Sequence, residues 1–324
     1  MIGESRLLPA DRDSLIYVAG HRGLVGSSIW RALRRAGYHN VIGHPRSELD
    51  LRDRDATASF FLEARPDVVV LAAARVGGIA ANNAEPVEFL SDNLLIQTNV
   101  MDSALAVKVP RLLFLGSSCI YPRLAEQPIR EDSLLTGELE PTNDAYAIAK
   151  IAGIIGVQAV RREYGLPWIS AMPTNLYGPG DNFDPIASHL LPALIRRYRT
   201  AVDEGAGTVV NWGSGTPRRE LLHVDDMAAA CLYLLEHYDG PVQVNVGTGV
   251  DHTIAEIAAM VARATGFEGI TRWDSSKPDG TPRKLLDVGL LRRLGWSSEI
   301  SLQSGIDETT AWYVANRDGE RIRR

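Results

Sequence analysis

Cysteine, long apolar runs and excess positive charge are all scarce or missing in this 324-residue chain. Its two cysteines, Cys119 and Cys231, are too few for the disulfide framework that holds small secreted domains together. No apolar run approaches the roughly 18 residues that a membrane-spanning helix requires. Residues 1–13 are polar and charged and lack the apolar core of an export signal. We therefore expect a cytosolic (cytoplasmic) protein with reduced thiols and no membrane partner.

The charge balance excludes one large class of partner. Lys and Arg number 34 against 40 Asp and Glu, which gives a formal net charge of −6. A protein held on nucleic acid by phosphate contacts would carry a basic excess, so no nucleic-acid partner is expected. The remaining composition, 45% hydrophobic and 23% charged, is that of an ordinary globular protein. The length is sufficient for one large domain or for two unequal ones.

The first half of the chain alternates short apolar runs with helical stretches. The apolar runs lie at residues 15–19, 67–74, 111–116 and 168–173, and the helical stretches at residues 28–36, 86–107 and 144–164. Runs that are apolar throughout, such as residues 68–71, are typical of strands buried on both faces of a parallel sheet. The alternation predicts an α/β fold with a doubly wound parallel sheet.

The second half is less regular, because Gly and Pro cluster at several points after about residue 175. Regular pieces remain at residues 225–237, 242–246 and 253–265. Thr253 and Glu256 have the spacing of a capping box at the start of the last piece. We predict a larger domain over residues 1–174 and a smaller lobe over residues 175–324, with some segments of the lobe returning to the main sheet.

A glycine-rich turn follows the first predicted strand. Gly20, Gly23 and Gly26 are spaced three apart and lead into a predicted helix. Backbone N–H groups at such a helix start can bind a pyrophosphate, and a Cβ at these positions would hold the phosphates away. The alternative is a plain strand-to-helix turn, but the place after the first strand of an α/β chain favours dinucleotide binding in a Rossmann arrangement. The predicted contacts in this turn are Gly20, Arg22, Gly23, Leu24, Val25 and Gly26.

The residues after the second strand bear on the choice of dinucleotide. An NAD site usually carries Asp or Glu about 20 residues past the turn, on the ribose hydroxyls. Here residues 41–43 are followed by Arg46, with no carboxylate before Glu48, and Arg22 lies within the turn itself. Two guanidinium groups near the ribose 2′ position favour a phosphate there. Unless both arginines are only solvated surface charges, the pattern predicts NADPH (as NADP when oxidised) rather than NADH.

Side chains suited to proton transfer follow in the middle of the chain. Ser117 comes at the end of the apolar run at residues 111–116, and Tyr146 and Lys150 share one face of a predicted helix. An ammonium beside a tyrosine lowers the pKa of the phenol, and the serine hydroxyl can hold a substrate carbonyl against it. Tyrosine and lysine at this spacing are common by chance, but together with the glycine turn and the serine they are specific. Ser118 is the alternative source of the hydroxyl.

On these motifs the chain resembles the short-chain dehydrogenase/reductase superfamily, in the extended branch that modifies nucleotide sugars. The resemblance implies that Ser117, Tyr146 and Lys150 are catalytic and that Lys150 also bonds the nicotinamide ribose. It implies an NADP-binding role for the domain of residues 1–174. It further implies NADP contacts at Arg46, Leu115, Gly116, Ser117, Ser118, Tyr146, Lys150, Pro173, Thr174, Asn175, Leu176 and His189.

Polar motifs in the second half are similar to those of extended enzymes that epimerise a GDP-4-keto-6-deoxy sugar at C3 and C5 and then reduce C4. Arginines and an aromatic residue near turn glycines suit a diphosphate and a flat base, although Trp212 could lie in a core and Arg219 could be a surface charge. The resemblance implies contacts to a GDP-sugar substrate at Arg197, Trp212, Arg219 and Asp279. It also implies that residues 175–324 are mainly a substrate-binding lobe.

The same resemblance implies that Cys119 and His189 are an additional acid/base pair. A 4-keto group acidifies the C–H bonds at C3 and C5, and inverting each carbon requires a base on one face and an acid on the other. A small buried hydrophobe is the alternative role of Cys119, and Cys231 is expected to have that role. The histidines other than His189 show no paired metal-ligand spacing, so no metal site is predicted.

Two other functions stay open. A reductase or 4-epimerase of a UDP- or dTDP-linked sugar would share the fold but would not need Cys119 with His189. A cofactor-sensing protein without catalysis would not need Ser117, Tyr146 and Lys150, which are all present.

A helix that is apolar nearly all round gives a prediction about assembly. Residues 145–160 carry few strongly polar side chains, so this helix requires a cover on more than one side. Burial within a larger lobe is one possible cover, and a second subunit is the favoured one. The resemblance implies that two helices per subunit pair in a homodimer.

Overall fold

The computed structural model of the protein describes residues 12–185, 188–277 and 279–319. The strands are β1 (Ile16–Ala19), β2 (Val41–Ile42), β3 (Val68–Leu71), β4 (Arg111–Leu115), β5 (Ile169–Pro173), β6 (Asn175–Tyr177), β7 (Thr208–Trp212), β8 (Arg218–His223), β9 (Val244–Val246), β10 (Asp251–Thr253), β11 (Ile270–Asp274) and β12 (Arg283–Lys284). The helices are α1 (Leu24–Arg35), α2 (Arg54–Ala64), α3 (Ile79–Ala84), α4 (Pro86–Ala106), α5 (Asp144–Tyr164), α6 (Leu190–Asp203), α7 (Val224–His237), α8 (Ile254–Thr265), α9 (Gly289–Arg293) and α10 (Leu302–Asn316).

A parallel six-stranded sheet organises the larger part of the protein. Its strand order is β2-β1-β3-β4-β5-β9, and every neighbouring pair is parallel. The side chains of β3 alternate between two cores, with Val68 and Val70 in one and Val69 and Leu71 in the other. Helices α1 and α7 cover the first face, while α2, α4 and α5 cover the second. The predicted doubly wound α/β fold is confirmed.

The smaller lobe packs around a third core. In it β8 lies between β10 and β12 and also pairs with β6, while β7 pairs with β11 in a separate two-stranded sheet. Helices α6, α8 and α10 bury apolar side chains such as Ile195, Ile257 and Ile306 against these strands. Strand β9 comes from this half of the chain but pairs with β5 in the main sheet. The second half of the chain therefore contributes one strand to the main sheet as well as forming the smaller lobe.

Several helix ends follow from local sequence signals. Thr253 and Glu256 form the predicted capping box at the start of α8. Helix α5 spans the predicted residues and ends at Gly165, which has a φ of +69° that a glycine adopts without strain. Helix α1 begins at Leu24 rather than at residue 28 as predicted, because the glycine turn runs directly into the helix. No helix in the described ranges is long and apolar enough to cross a membrane.

A buried arginine joins the sheet to the end of α7. Arg111 opens β4 and is 1% exposed. Its guanidinium donates hydrogen bonds to the carbonyls of Leu234, Leu235, Tyr238 and Pro167. Burial lowers the pKa of Arg111 to about 10, which still leaves it charged at neutral pH. A positive charge on the last carbonyls of a helix complements the negative end of the helix dipole.

Candidate active site

The glycine turn between β1 and α1 is closed too tightly for side chains. Gly20 has a φ of +83°, and a Cβ on it would lie 2.7 Å from the backbone nitrogen of Ala73. A Cβ on Gly26 would collide with the carbonyl oxygen of Gly20. Gly23 is the N-cap of α1 and makes no side-chain capping bond, so the first backbone N–H groups, at Leu24 and Val25, lie open at the helix start. The geometry is that of an anion-binding turn.

The two arginines predicted near the 2′ position come to the same edge of the sheet. Arg22 is in the glycine turn after β1, and Arg46 follows β2, which pairs in parallel with β1. Both side chains are exposed, and Nε of Arg46 lies 3.3 Å from Oδ2 of Asp50. Because β1 and β2 are parallel, their carboxyl ends lie at the same edge of the sheet. Arg22, Arg46 and the glycine turn therefore all lie at that edge.

Ser117, Tyr146 and Lys150 meet beyond the end of β4. Ser117 lies close enough to Tyr146 to lower the pKa of its phenol, and the Nζ of Lys150 donates to the Leu115 carbonyl at 2.9 Å. The same Nζ is 5.9 Å from the centre of the Tyr146 ring. Ser118 is buried, which leaves Ser117 as the hydroxyl beside the tyrosine.

Burial, rather than the lysine charge, controls the titration of this group. Burial lowers the pKa of Lys150 to about 7. Loss of solvent contact raises the pKa of Tyr146, Cys119 raises it further, and the bond to Ser117 only partly offsets this. The prediction that Lys150 lowers the pKa of Tyr146 is therefore wrong for this geometry, because the amine is directed at a backbone carbonyl.

The predicted cofactor contacts between β4 and β6 lie at the ends of neighbouring strands. Leu115 ends β4, and Gly116, which follows it, packs so closely on Met172 of β5 that a Cβ would collide with its side chain. The backbone N–H of Thr174 donates to Val246 of β9, and Asn175 donates through Nδ2 to the Glu220 carbonyl at 2.9 Å. Pro173 and Leu176, which flank them, are half-buried.

Cys119 lies in a short 3-10 turn at Ser118–Ile120, beside the serine and tyrosine hydroxyls. The Nζ of Lys284 is 3.3 Å from its Sγ. Burial alone would raise the pKa of this thiol, but the Lys284 charge and hydrogen bonds to Ser117, Lys284 and Asn143 outweigh it, so the pKa is lowered. Sequence reasoning missed Lys284 and Asn143 as neighbours of the thiol. Lys284 is 165 residues from Cys119, and only the β12–β8 pairing brings it to the site.

His189 is the N-cap residue of α6 and is exposed. Desolvation lowers its pKa, and the charge of Lys284 lowers it further. His189 and Cys119 therefore both lie within the electrostatic reach of one lysine. No group of three or more His, Cys, Asp or Glu side chains that could hold a metal ion occurs among the described residues.

The four residues predicted to contact substrate lie in the smaller lobe. Arg197 on α6 bonds Asn211 at 2.7 Å, and the half-buried Arg219 on β8 donates to the Thr281 carbonyl at 2.7 Å. Burial lowers the pKa of both guanidinium groups, and neither is a free surface charge.

Trp212 and Asp279 lie on the outer side of this lobe. Trp212 ends β7 and is 68% exposed, so it is not a core residue, and the Lys277 ammonium lies 5.7 Å from its ring centre. Asp279 accepts from the Ser214 backbone at 2.6 Å and thereby closes the loop that follows Lys277. Pro278, within the same motif, lies outside the described residues.

A parallel sheet with a glycine turn between its first strand and helix defines a dinucleotide-binding fold of the Rossmann type. A family model described as the NAD dependent epimerase/dehydratase family matches residues 16–247. The chain belongs to this family, and the predicted membership of the extended branch is confirmed.

Individual relatives are similar to this chain over nearly its full length. The chain is 54% identical to GDP-L-fucose synthase 1 of Arabidopsis thaliana, over 97% of this chain and 98% of that protein. It is 52% identical to GDP-L-fucose synthase of Escherichia coli (strain K12), over 94% of this chain and 97% of the relative. A solved GDP-L-fucose synthetase from Naegleria fowleri bound to NADP superposes with a TM-score of 0.90 at 27% identity, covering 99% of each chain.

Proposed function

We propose that the protein catalyses the GDP-L-fucose synthase reaction: epimerisation of GDP-4-keto-6-deoxy-D-mannose at C3 and C5, then NADPH-dependent reduction at C4. The observation that carries the proposal is that one pocket holds both kinds of chemistry. Ser117 lowers the pKa of both Tyr146 and Cys119, Cys119 raises that of Tyr146, and the Cys119 backbone N–H donates to Oγ of Ser117 at 3.2 Å, so the phenol and the thiol lie beside the same serine. A reductase needs only the phenol, whereas an epimerase/reductase needs both. The near-full-length identity to proteins with this name supports the same reaction.

NADPH is the cofactor that the residues fit. The turn at Gly20 and Gly26 leaves no room for a Cβ, so backbone N–H groups can approach a diphosphate directly. Arg22 and Arg46 lie at the edge of the sheet where a ribose 2′-phosphate would lie, and guanidinium groups bind phosphate through paired N–H donors. The NADP bound in the Naegleria fowleri structure agrees with this choice. When bound, NADPH supplies the hydride for C4.

Tyr146 is the proton donor for reduction. Its raised pKa keeps the phenol protonated at neutral pH, as a donor to the C4 oxygen must be. Ser117, beside that phenol, would position the carbonyl oxygen against it. Lys150 lies one helical turn after Tyr146, its Nζ is held by the Leu115 carbonyl, and it would bond the nicotinamide ribose when NADPH is present.

Cys119 and His189 are the base and acid for epimerisation. Cys119 as a thiolate takes a proton from C3 or C5: the C–H bond breaks, an S–H bond forms, and the electron pair moves into the enolate at C4. His189 returns a proton to the opposite face. Both cysteines are free thiols, which supports a reducing compartment such as the cytosol.

The GDP portion of the substrate is bound by the smaller lobe. The exposed Trp212 ring offers a face for a flat base. Arg197 and Arg219, half-buried and charged, suit the diphosphate, and Asp279 suits hydroxyl or amino groups at the outer edge of the pocket.

The proposal includes a homodimer that forms through the outer surface of α4 and α5. Leu95 and Thr98 of α4 and Ile148, Ala152 and Ile155 of α5 are exposed, and a shallow cavity of about 160 Å³ is lined by both helices. We call this surface the α4–α5 face. A second copy would cover it, so Ile155→Glu is expected to give a monomer by light scattering at micromolar concentration. Leu124→Glu, at an exposed loop leucine, is the control and leaves the dimer intact; a monomeric parent would contradict the assignment.

The test offers GDP-4-keto-6-deoxy-D-mannose and NADPH to the purified protein in deuterated water and identifies the product by NMR. We expect GDP-L-fucose carrying deuterium at C3 and C5. Cys119→Ser should nearly abolish deuterium exchange, while Tyr146→Phe should keep exchange and lose NADPH oxidation. Cys231→Ala, at the buried thiol of α7, is the control and keeps both. Exchange at the parent rate in Cys119→Ser would remove the base from the mechanism, and turnover of a UDP-sugar alone would reject the proposed substrate.

A further inference from the structure

Lys284 occupies a defined position beside the thiol. Its Nζ lies 3.3 Å from Sγ of Cys119, within hydrogen-bond reach for a sulfur acceptor. Asn143, at the N-cap of α5, and Ser117 lie near the same sulfur, and both lower the pKa of the thiol. Lys284 is the group that brings a positive charge within hydrogen-bond distance of the sulfur.

The backbone around Lys284 is anchored at each following residue. Lys284 pairs with Arg219 of β8. The N–H of Leu285 donates to Oε1 of Gln127 at 2.9 Å, and its carbonyl accepts from Ile129 at 2.8 Å. The N–H of Leu286 donates to Oε2 of Glu220 at 3.0 Å, and Glu220 is fully buried. The fold thus fixes the Lys284 backbone at a place from which its side chain reaches the Cys119 sulfur.

We propose that Lys284 is a positioning residue that keeps Cys119 as a thiolate ready to remove a proton from the substrate. The inference rests on the proposed function for the base role of Cys119, whereas the ionisation of the thiol is independent of any substrate. A free cysteine with a pKa of about 8.5 is only a few per cent ionised at pH 7. An ammonium in contact with the sulfur favours the anion.

The other titratable groups at the site do not oppose this role. Tyr146, from α5, stays a neutral phenol because burial raises its pKa. Desolvation and the charge of Lys284 lower the pKa of His189, at the start of α6, and an imidazole brings no negative charge to the site. Lys284 therefore supplies positive charge to the sulfur, and the thiolate does not face a second anion from either residue.

The thiolate can be measured without a substrate. In a Cys231→Ala background, Cys119 is the only thiol, and its alkylation by iodoacetamide (the sulfur bonds to carbon as iodide leaves) is followed by intact mass from pH 5.5 to 9.5. The partial exposure of Cys119 admits this small reagent. We expect the alkylation rate of the parent to reach half its maximum below the pH of about 8.5 that is typical of a free thiol. In Lys284→Met the midpoint should move up by at least one pH unit, and the rate at pH 7 should fall about tenfold.

Two further variants separate charge from structure. Lys284→Arg keeps the charge and should restore most of the parental midpoint, while Lys108→Met removes a distant exposed lysine and should leave it unchanged. A parent midpoint at or above pH 8.5 overturns the proposal without any variant, and so does an unchanged midpoint in folded Lys284→Met. If the midpoint moves as expected but deuterium exchange into the keto sugar is unaffected, the thiolate assignment stands and the base role in the proposed function fails.

Discussion

Replacing Lys150 by Met is expected to change how the stability of the protein depends on pH. Lys150 is 4% exposed, and burial lowers its pKa from 10.5 to about 7. Between these two values the unfolded chain binds one proton that the folded protein does not. The unfolding free energy of the parent therefore rises with pH over this window. The contribution of Lys150 to stability is most unfavourable below pH 7, where the buried amine must carry its charge.

The size of this change in stability follows from the difference between the pKa of Lys150 in the folded and in the unfolded protein. One pH unit of pKa difference corresponds to about 1.4 kcal/mol, so the parent should gain about 2 kcal/mol in unfolding free energy relative to Lys150→Met between pH 7 and pH 9. The variant also loses the 2.9 Å bond from Nζ to the Leu115 carbonyl, which costs about 1 kcal/mol at every pH. Methionine fills a similar volume against Phe114, so packing changes little. At pH 7 the variant should be the more stable protein.

The assay is urea unfolding followed by far-ultraviolet circular dichroism at pH 7, 8 and 9. Bound dinucleotide is removed first, because any ligand of the folded state stabilises it by mass action. Lys108→Met, at an exposed lysine, is the control and should follow the parent at all three pH values. If the difference in unfolding free energy between the parent and Lys150→Met is the same at all three pH values, the assignment of a neutral buried amine is refuted.

Three further outcomes are expected. Arg46→Ala should raise the KM for NADPH far more than that for NADH in steady-state assays, and equal effects would exclude a 2′-phosphate contact. Arg111→Met should lower the unfolding free energy in urea by about 3 kcal/mol, because buried carbonyls at the end of α7 lose their donor; a loss under 1 kcal/mol would show that these carbonyls find other partners. Gly26→Ala should abolish NADPH binding by calorimetry because its Cβ meets the Gly20 carbonyl, whereas Gly207→Ala, with open space around it, should bind normally.

The elements of the sheet could be predicted because their signals are local. The strand at Val68–Leu71 is apolar throughout, and α5 begins and ends where the sequence predicted because Gly165 closes it. Likewise, the residues of the glycine turn lie within one short segment of the chain, and Tyr146 and Lys150 lie on one helix. These features depend on neighbours within about one helical turn, which a sequence displays directly.

The contacts that set the chemistry could not be predicted in the same way. The approach of Lys284 to Cys119 depends on a two-residue strand pairing with β8. The pKa of Tyr146 depends on how deeply its ring is enclosed, and the spacing to Lys150 indicated the opposite direction. The bonds from Arg111 to the end of α7 link residues more than 120 positions apart, and a sequence shows only an arginine before an apolar run.

The strand order also determines when each part of the protein can form during synthesis. Strands β1, β3, β4 and β5, with Ser117, Tyr146 and Lys150 between them, have all left the ribosome soon after residue 173 is added. The edge of β5 that pairs with β9 stays unpaired until residues 244–246 have been synthesised. Unpaired strand edges favour aggregation. The Cys119–Lys284 contact closes a span of 165 residues, so it is among the last parts of the pocket to form.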